Sequence, residues 1–188
     1  LNILFLIDRS NYYKFLGPFI QTLIELGQSV HVLHNYSIHR GNTAKDYHFP
    51  ALNALPHNLR GLENLSLFNS QASLLNYMIT NDIEFVFSLH HKGNHLDSDK
   101  IQQVNARWCQ VQHFGDNFVL QPENLLDCEI ILLHKNIWLK NYRESLSGDK
   151  KKVFDQLING IEVIETGYYK YQPNNLDVVY KKYSISPN

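Results

Sequence analysis

The chain has 188 residues, 44% of them hydrophobic and 19% charged, with 17 Lys+Arg against 18 Asp+Glu for a net charge of -1. This supports one domain with a full core and excludes a disordered chain, and the lack of a basic block argues against a nucleic-acid binder. Two cysteines cannot build a disulfide framework, and no apolar run approaches the roughly 20 residues needed to cross a bilayer.

Residues 2–8 (NILFLID) form an apolar run ending in a carboxylate, the pattern of a strand buried on both faces. Residues 9–17 read as a polar and aromatic loop. Pro18 suits a first helical position, and Phe19, Ile20, Leu23, Ile24 and Leu26 recur at helical spacing up to Gly27, a helix-closing residue. Residues 29–33 (SVHVL) form the next strand. A strand, a crossover helix and a strand within about 33 residues favour parallel pairing.

Periodicity fades from His34 to Gly61, and the segment 36–60 reads as a long functional loop at the carboxyl-end rim. Strands follow at 65–68, 83–89 (IEFVFSL), 109–113 (CQVQH), 129–133 (EIILL) and 161–165 (IEVIE). Helices are expected at 70–80, 100–108, 122–127, 136–146 and 151–158, and a further one at 176–183 in the tyrosine-rich tail. Strands thus alternate with helices along the chain. The expected fold is α/β, a Rossmann-like open, mostly parallel sheet of six or seven strands with helices on both faces.

Ligands of open α/β sheets bind beyond the carboxyl ends of the strands. The first strand delivers Asp8, Arg9, Ser10, Asn11 and Tyr12 there. The second delivers His34 and Asn35, and later strands deliver His90 and His91, His113 with Gly115 and Asp116, His134 and Lys135, and Thr166 with Gly167. Histidine suits general-base work because its unperturbed pKa is about 6.5. His113 stands out, since Gly115 lets backbone approach a ligand and Asp116 can hold an imidazole tautomer. A loop histidine is nevertheless more often a solvated surface residue than a base. His90, His91 and His95 lack the spacing of a metal site, and no metal or cofactor is expected. The first loop has no G-x-G-x-x-G, so a pyrophosphate cradle is not expected there.

Three stretches carry a family resemblance. ILFLIDRSNYYKFLGPFIQTLIELGQSVHVL, VQHFGDNF, and CEIILLHKNIWLKNY with IEVIETGYYKYQPNNLDVVYKKYSIS resemble, in that order, the N-terminal, acceptor-side domain of GT-B type glycosyltransferases. The stretch VQHFGDNF resembles one found in bacterial surface-glycan transferases and in the related glycerol-phosphate polymerases of teichoic acid synthesis. The family's His-Gly pair is split here by Phe114.

The resemblance implies an acceptor-side domain over residues 1–172 and a linker over 173–188 leading to a C-terminal nucleotide-binding domain. It implies a nucleotide-sugar donor held by that second domain, a glycan or lipid-linked acceptor, and a cytoplasmic setting with room for peripheral membrane association of the full-length protein. His113 would be the base and Asp116 its orienter, with Arg9, Ser10, Tyr12, His90, His91 and Gly167 binding substrate. The rival readings are a sugar-nucleotide 2-epimerase or a glycerol-phosphate transferase of the same architecture, and a non-enzymatic α/β module that binds a glycan or a protein.

Overall fold

The computed structural model describes residues 1–8, 12–35, 62, 64–112 and 128–167. The described elements, in chain order, are β1 (Asn2–Ile7), α1 (Tyr13–Glu25), β2 (Ser29–Asn35), β3 (Asn64–Phe68), α2 (Gln71–Thr80), β4 (Phe85–Ser88), α3 (Ser98–Ile101), β5 (Arg107–Val111), β6 (Ile130–Leu133), α4 (Ile137–Ser145), α5 (Gly148–Ile158) and β7 (Glu162–Glu165). The seven strands make one sheet in the order β3-β2-β1-β4-β5-β6-β7. Every pairing is parallel, with Leu4 opposite His31 and Val86 at the centre of the sheet. The expected Rossmann-like α/β fold is therefore present.

Side-chain alternation splits the core in two. Ile3, Phe5 and Ile7 of β1 face α1, where they meet Leu16, Ile20, Val32, Val111 and Leu132. Leu4 and Leu6 face the opposite layer and meet Leu74, Met78, Trp108, Leu139 and Phe154, contributed in part by α2, α4 and α5. Both faces of the sheet are covered, so the strands read as continuous apolar runs.

Three local expectations change. Helix α1 begins at Tyr13, and Pro18 lies inside it. A proline there removes one backbone hydrogen bond. The earlier start buries Tyr13, Phe15 and Leu16 completely or nearly so, and that burial offsets the lost bond. The helix expected over 100–108 is only the four-residue α3, and β5 already begins at Arg107. Trp108 must sit in the sheet to bury its indole, and its backbone N–H donates to the Glu129 carboxylate at 2.6 Å. Strand β2 runs two residues further than expected, to Asn35, because β3 pairs along it as far as Phe68.

Gly27 closes α1 as anticipated. It has φ +71°, its N–H reaches Ile24 O at 2.9 Å, and the Gln28 N–H reaches Leu23 O at 3.0 Å. Ser70 caps α2 through its hydroxyl, which accepts from the Ser73 N–H at 3.2 Å. The helices expected at 122–127 and 176–183, and the segment 36–60, lie outside the described residues. No helix among the described residues is long and apolar enough to cross a membrane.

Candidate functional site at the sheet switch point

The strand order reverses between β1 and β4. From β1 the chain crosses over one face through α1 to β2, and from β4 it proceeds the other way to β5. The two connections diverge, and ligands of open α/β sheets bind beyond the carboxyl ends of the two strands at such a point, here β1 and β4. Buried polar side chains concentrate along that edge: Asp8, His34, Asn35, Ser88, His95, Gln112 and His134. Such groups cost stability unless paired, so each needs a partner or a purpose.

Asp8 is the centre of the cluster. It directly follows β1, and only 2% of it is exposed. Asn35 at the end of β2 donates from Nδ2 to Asp8 Oδ1 at 2.8 Å. The other oxygen, Oδ2, lies 3.7 Å from His90 Nε2 and 3.6 Å from His95 Nε2. His90 Nε2 shares a 2.9 Å hydrogen bond with the Tyr12 hydroxyl at the start of α1. His95 Nε2 shares one of 3.1 Å with Ser88 Oγ, and the same oxygen accepts from the His90 backbone N–H at 2.9 Å. The Trp108 indole N–H donates to His90 O at 3.3 Å, anchoring this loop against β5. Three buried side-chain polar atoms lack a hydrogen bond among the described residues, and two of them, Asp8 Oδ2 and His95 Nδ1, belong here. Unsatisfied groups of this kind call for an explanation, and function is one.

The structure places some of the expected site residues. Tyr12 and His90 come together through the 2.9 Å hydrogen bond between their side chains. His91 is half-buried and precedes the 3-10 turn Lys92–Asn94. Gly167 follows β7 at the far edge of the sheet, three strands from β4, with φ +71°. Arg9, Ser10, His113 and Asp116 lie outside the described residues. In the sequence, Asp8, His34 and Asn35 stand among the strand-end residues. Ser88 was overlooked, although a lone hydroxyl in the apolar run IEFVFSL marks it. Among the described residues no group of three His, Cys, Asp or Glu side chains could hold a metal ion.

The neighbouring positions on α1 and β2 hold a tyrosine–histidine pair, Tyr13 and His34. The buried Tyr13 hydroxyl hydrogen-bonds His34 Nε2. Burial lowers the His34 pKa to about 4 and raises that of Tyr13. Both are thus neutral at pH 7, with the phenol donating to the imidazole. The linkage follows from proton counts. Between pH 6.5 and 4 the unfolded chain binds a proton at His34 and the folded chain does not. Stability contributed by this neutral pair is therefore complete above about pH 6.5 and lost as pH falls towards 4, by roughly 3 kcal/mol. Burial lowers the His95 pKa as well, which adds in the same direction. Urea unfolding at pH 7.5 and 4.5 should show the loss, and His34→Gln should reduce it. An acid dependence that His34→Gln leaves intact would mean that other groups carry it.

No protein-family model matches the chain. No curated protein matches its sequence. Among solved structures, a glycosyltransferase from Rickettsia africae ESF-5 superposes on the whole chain with a TM-score of 0.52 and 14% identity. The chain is similar in fold to half of that enzyme. It covers 100% of its own length and 50% of the glycosyltransferase. At this identity the likeness concerns architecture, a glycosyltransferase-like α/β fold, and the side chains at the switch point must speak for themselves.

Proposed function

We propose that the chain is the acceptor-side half of a glycosyltransferase that moves a sugar from a nucleotide-sugar donor to a hydroxyl of a glycan or lipid-linked acceptor. The observation that carries this is the Asp8–His90–Tyr12 cluster at the switch point. A buried carboxylate faces a histidine whose side chain is 37% exposed, so the imidazole is reachable from solvent and its protonated form has a counter-charge 3.7 Å away. That is what a general base needs when an acceptor hydroxyl attacks. The acceptor oxygen bonds to the anomeric carbon, the bond from that carbon to the diphosphate breaks, and the hydroxyl proton passes to His90. Tyr12 and Asp8 hold the ring during the step.

The half-length likeness supports a donor site in a second domain, where fixed donors would stabilise the leaving diphosphate. His113 and Asp116, which come after β5 in the sequence and lie outside the described residues, are the alternative base and orienter. Arg9 and Ser10, next to Asp8, would contact the acceptor. A cytoplasmic site of surface-glycan synthesis fits this reading.

The test is a transfer assay of the full-length protein with a panel of nucleotide sugars and glycan acceptors. Transfer is expected. Residues 1–188 alone should bind nucleotide sugars weakly and transfer none. Tight nucleotide binding by this half, or epimerisation of the donor sugar without any acceptor, would overturn the proposal.

A further inference from the structure

We propose that His95 is a positioning residue: through Asp8 and Ser88 its buried imidazole fixes the orientation of His90 and weakens the hold of Asp8 on a proton at His90. The role rests on His90 acting as the base of the proposed transfer. Its evidence is the wiring around one carboxylate oxygen.

Asp8 Oδ2 faces two imidazole nitrogens at nearly equal distance, His95 Nε2 at 3.6 Å and His90 Nε2 at 3.7 Å, and makes no hydrogen bond of its own. The two rings differ in setting. His90 is reachable, whereas the His95 side chain is 1% exposed, packed beside the rings of Trp108 and Phe68. The charged groups facing His95 are Asp8 on β1 and His90 and His91 on its own loop. Burial disfavours its charged form most, Asp8 pulls the other way, and the two histidines add to the burial effect, so the balance holds it neutral.

A neutral imidazole has one N–H. Nε2 faces a carboxylate and a hydroxyl, both able to accept, while Nδ1 faces no partner. The proton therefore sits on Nε2. From there it donates to Ser88 Oγ at 3.1 Å and points its positive charge towards Asp8 Oδ2 without bonding to it. Ser88 Oγ receives it together with the His90 backbone N–H, which ties the His90 main chain to the His95 ring. Asp8 Oδ2 receives its positive end across 3.6 Å, which offsets part of the carboxylate charge. His95 thus competes with His90 for one oxygen. Without that N–H, Asp8 Oδ2 would face His90 alone, with Oδ1 still held by Asn35, and would hold His90 protonated to higher pH. A base locked as imidazolium cannot accept a proton from an acceptor hydroxyl.

The experiment is an NMR titration of the His90 ring in the protein without substrate, with the His90 signal identified by its loss in His90→Gln. His95→Phe, which keeps the packing and deletes the N–H, should raise the His90 midpoint by roughly half a unit or more. His95→Gln, whose amide nitrogen can take the place of Nε2, should return the midpoint towards wild type. If His95→Phe does not fold, His95→Asn replaces it; its shorter amide stops short of Asp8 and should give the same upward shift. An unchanged His90 midpoint in the folded variant overturns the proposal, as does a shift that His95→Gln fails to reverse. The titration needs no substrate, so such a result counts against His95 alone. Absence of sugar transfer by the wild-type protein would count against the proposed function instead.

Discussion

His90→Gln in the full-length protein is expected to lower turnover by about 10²–10⁴-fold, the range for loss of a general base. Glutamine can still bond the Tyr12 hydroxyl, so the α1 start should stay in place, but it cannot take up a proton. Thermal unfolding should move little, because His90 is only half-buried and its backbone contacts to Ser88 and Trp108 are untouched. Steady-state assays at saturating donor and acceptor separate the effect on chemistry from one on binding. His113→Ala is the decisive companion. If it costs more than His90→Gln, the base lies after β5. If it leaves turnover at the wild-type level, the role assigned to His113 fails. Wild-type turnover in His90→Gln would remove His90 from the mechanism.

The sheet was legible because burial on both faces leaves a plain record. Runs such as NILFLI and IILL have no polar side, and only a central parallel strand tolerates that. Helix limits were less legible. Pro18 looks like a helix start because proline fits the first turn, but the apolar residues Tyr13, Phe15 and Leu16 before it have a core to fill and carry the helix past it. The stretch KIQQVNARW shows no strand alternation, and its helical look gives way because β5 must pair with β4, placing Arg107 beside Phe85. Tertiary pairing of this kind is not written in a nine-residue window.

The site was legible by position and not by partnership. Strand-end reasoning placed Tyr12, His90 and Asp8 on the same edge, since each follows an apolar run. That β1 lies next to β4, with Ile3 opposite Phe85, follows only from the strand order, and the order decides which of the strand-end histidines lies beside Asp8. His95 illustrates the limit further. In sequence it sits in the polar loop HHKGNHLDSD and reads as solvent-facing. In the fold, the turn Lys92–Asn94 bends the chain back, Lys92 pairs with Glu129, and His95 is driven under the sheet edge against Trp108.

Trp108→Ala should destabilise the protein by about 3–5 kcal/mol, the cost typical of removing a buried large aromatic. Trp108 is 2% exposed and belongs to the cluster with Met78, Leu96, Ile131 and Leu133. A small cavity already adjoins it, lined by Met78, Leu96, Ile101, Val104 and Ala106, and truncation would enlarge that space. The rigid sheet beneath cannot collapse into the void, so little of the lost contact is regained. The change also reaches the site. It removes the indole N–H from His90 O and the ring that packs 5.6 Å from His95. Since a domain of this size is stable by only about 5–15 kcal/mol, a large part of the total would be lost. Urea unfolding followed by circular dichroism measures it, and Trp108→Phe, which refills most of the volume, should recover a good part of the difference. A Trp108→Ala midpoint within about 1 kcal/mol of wild type would show that this layer repacks freely. The His90 loop would then owe its position to Ser88 and Asp8 instead of to the indole.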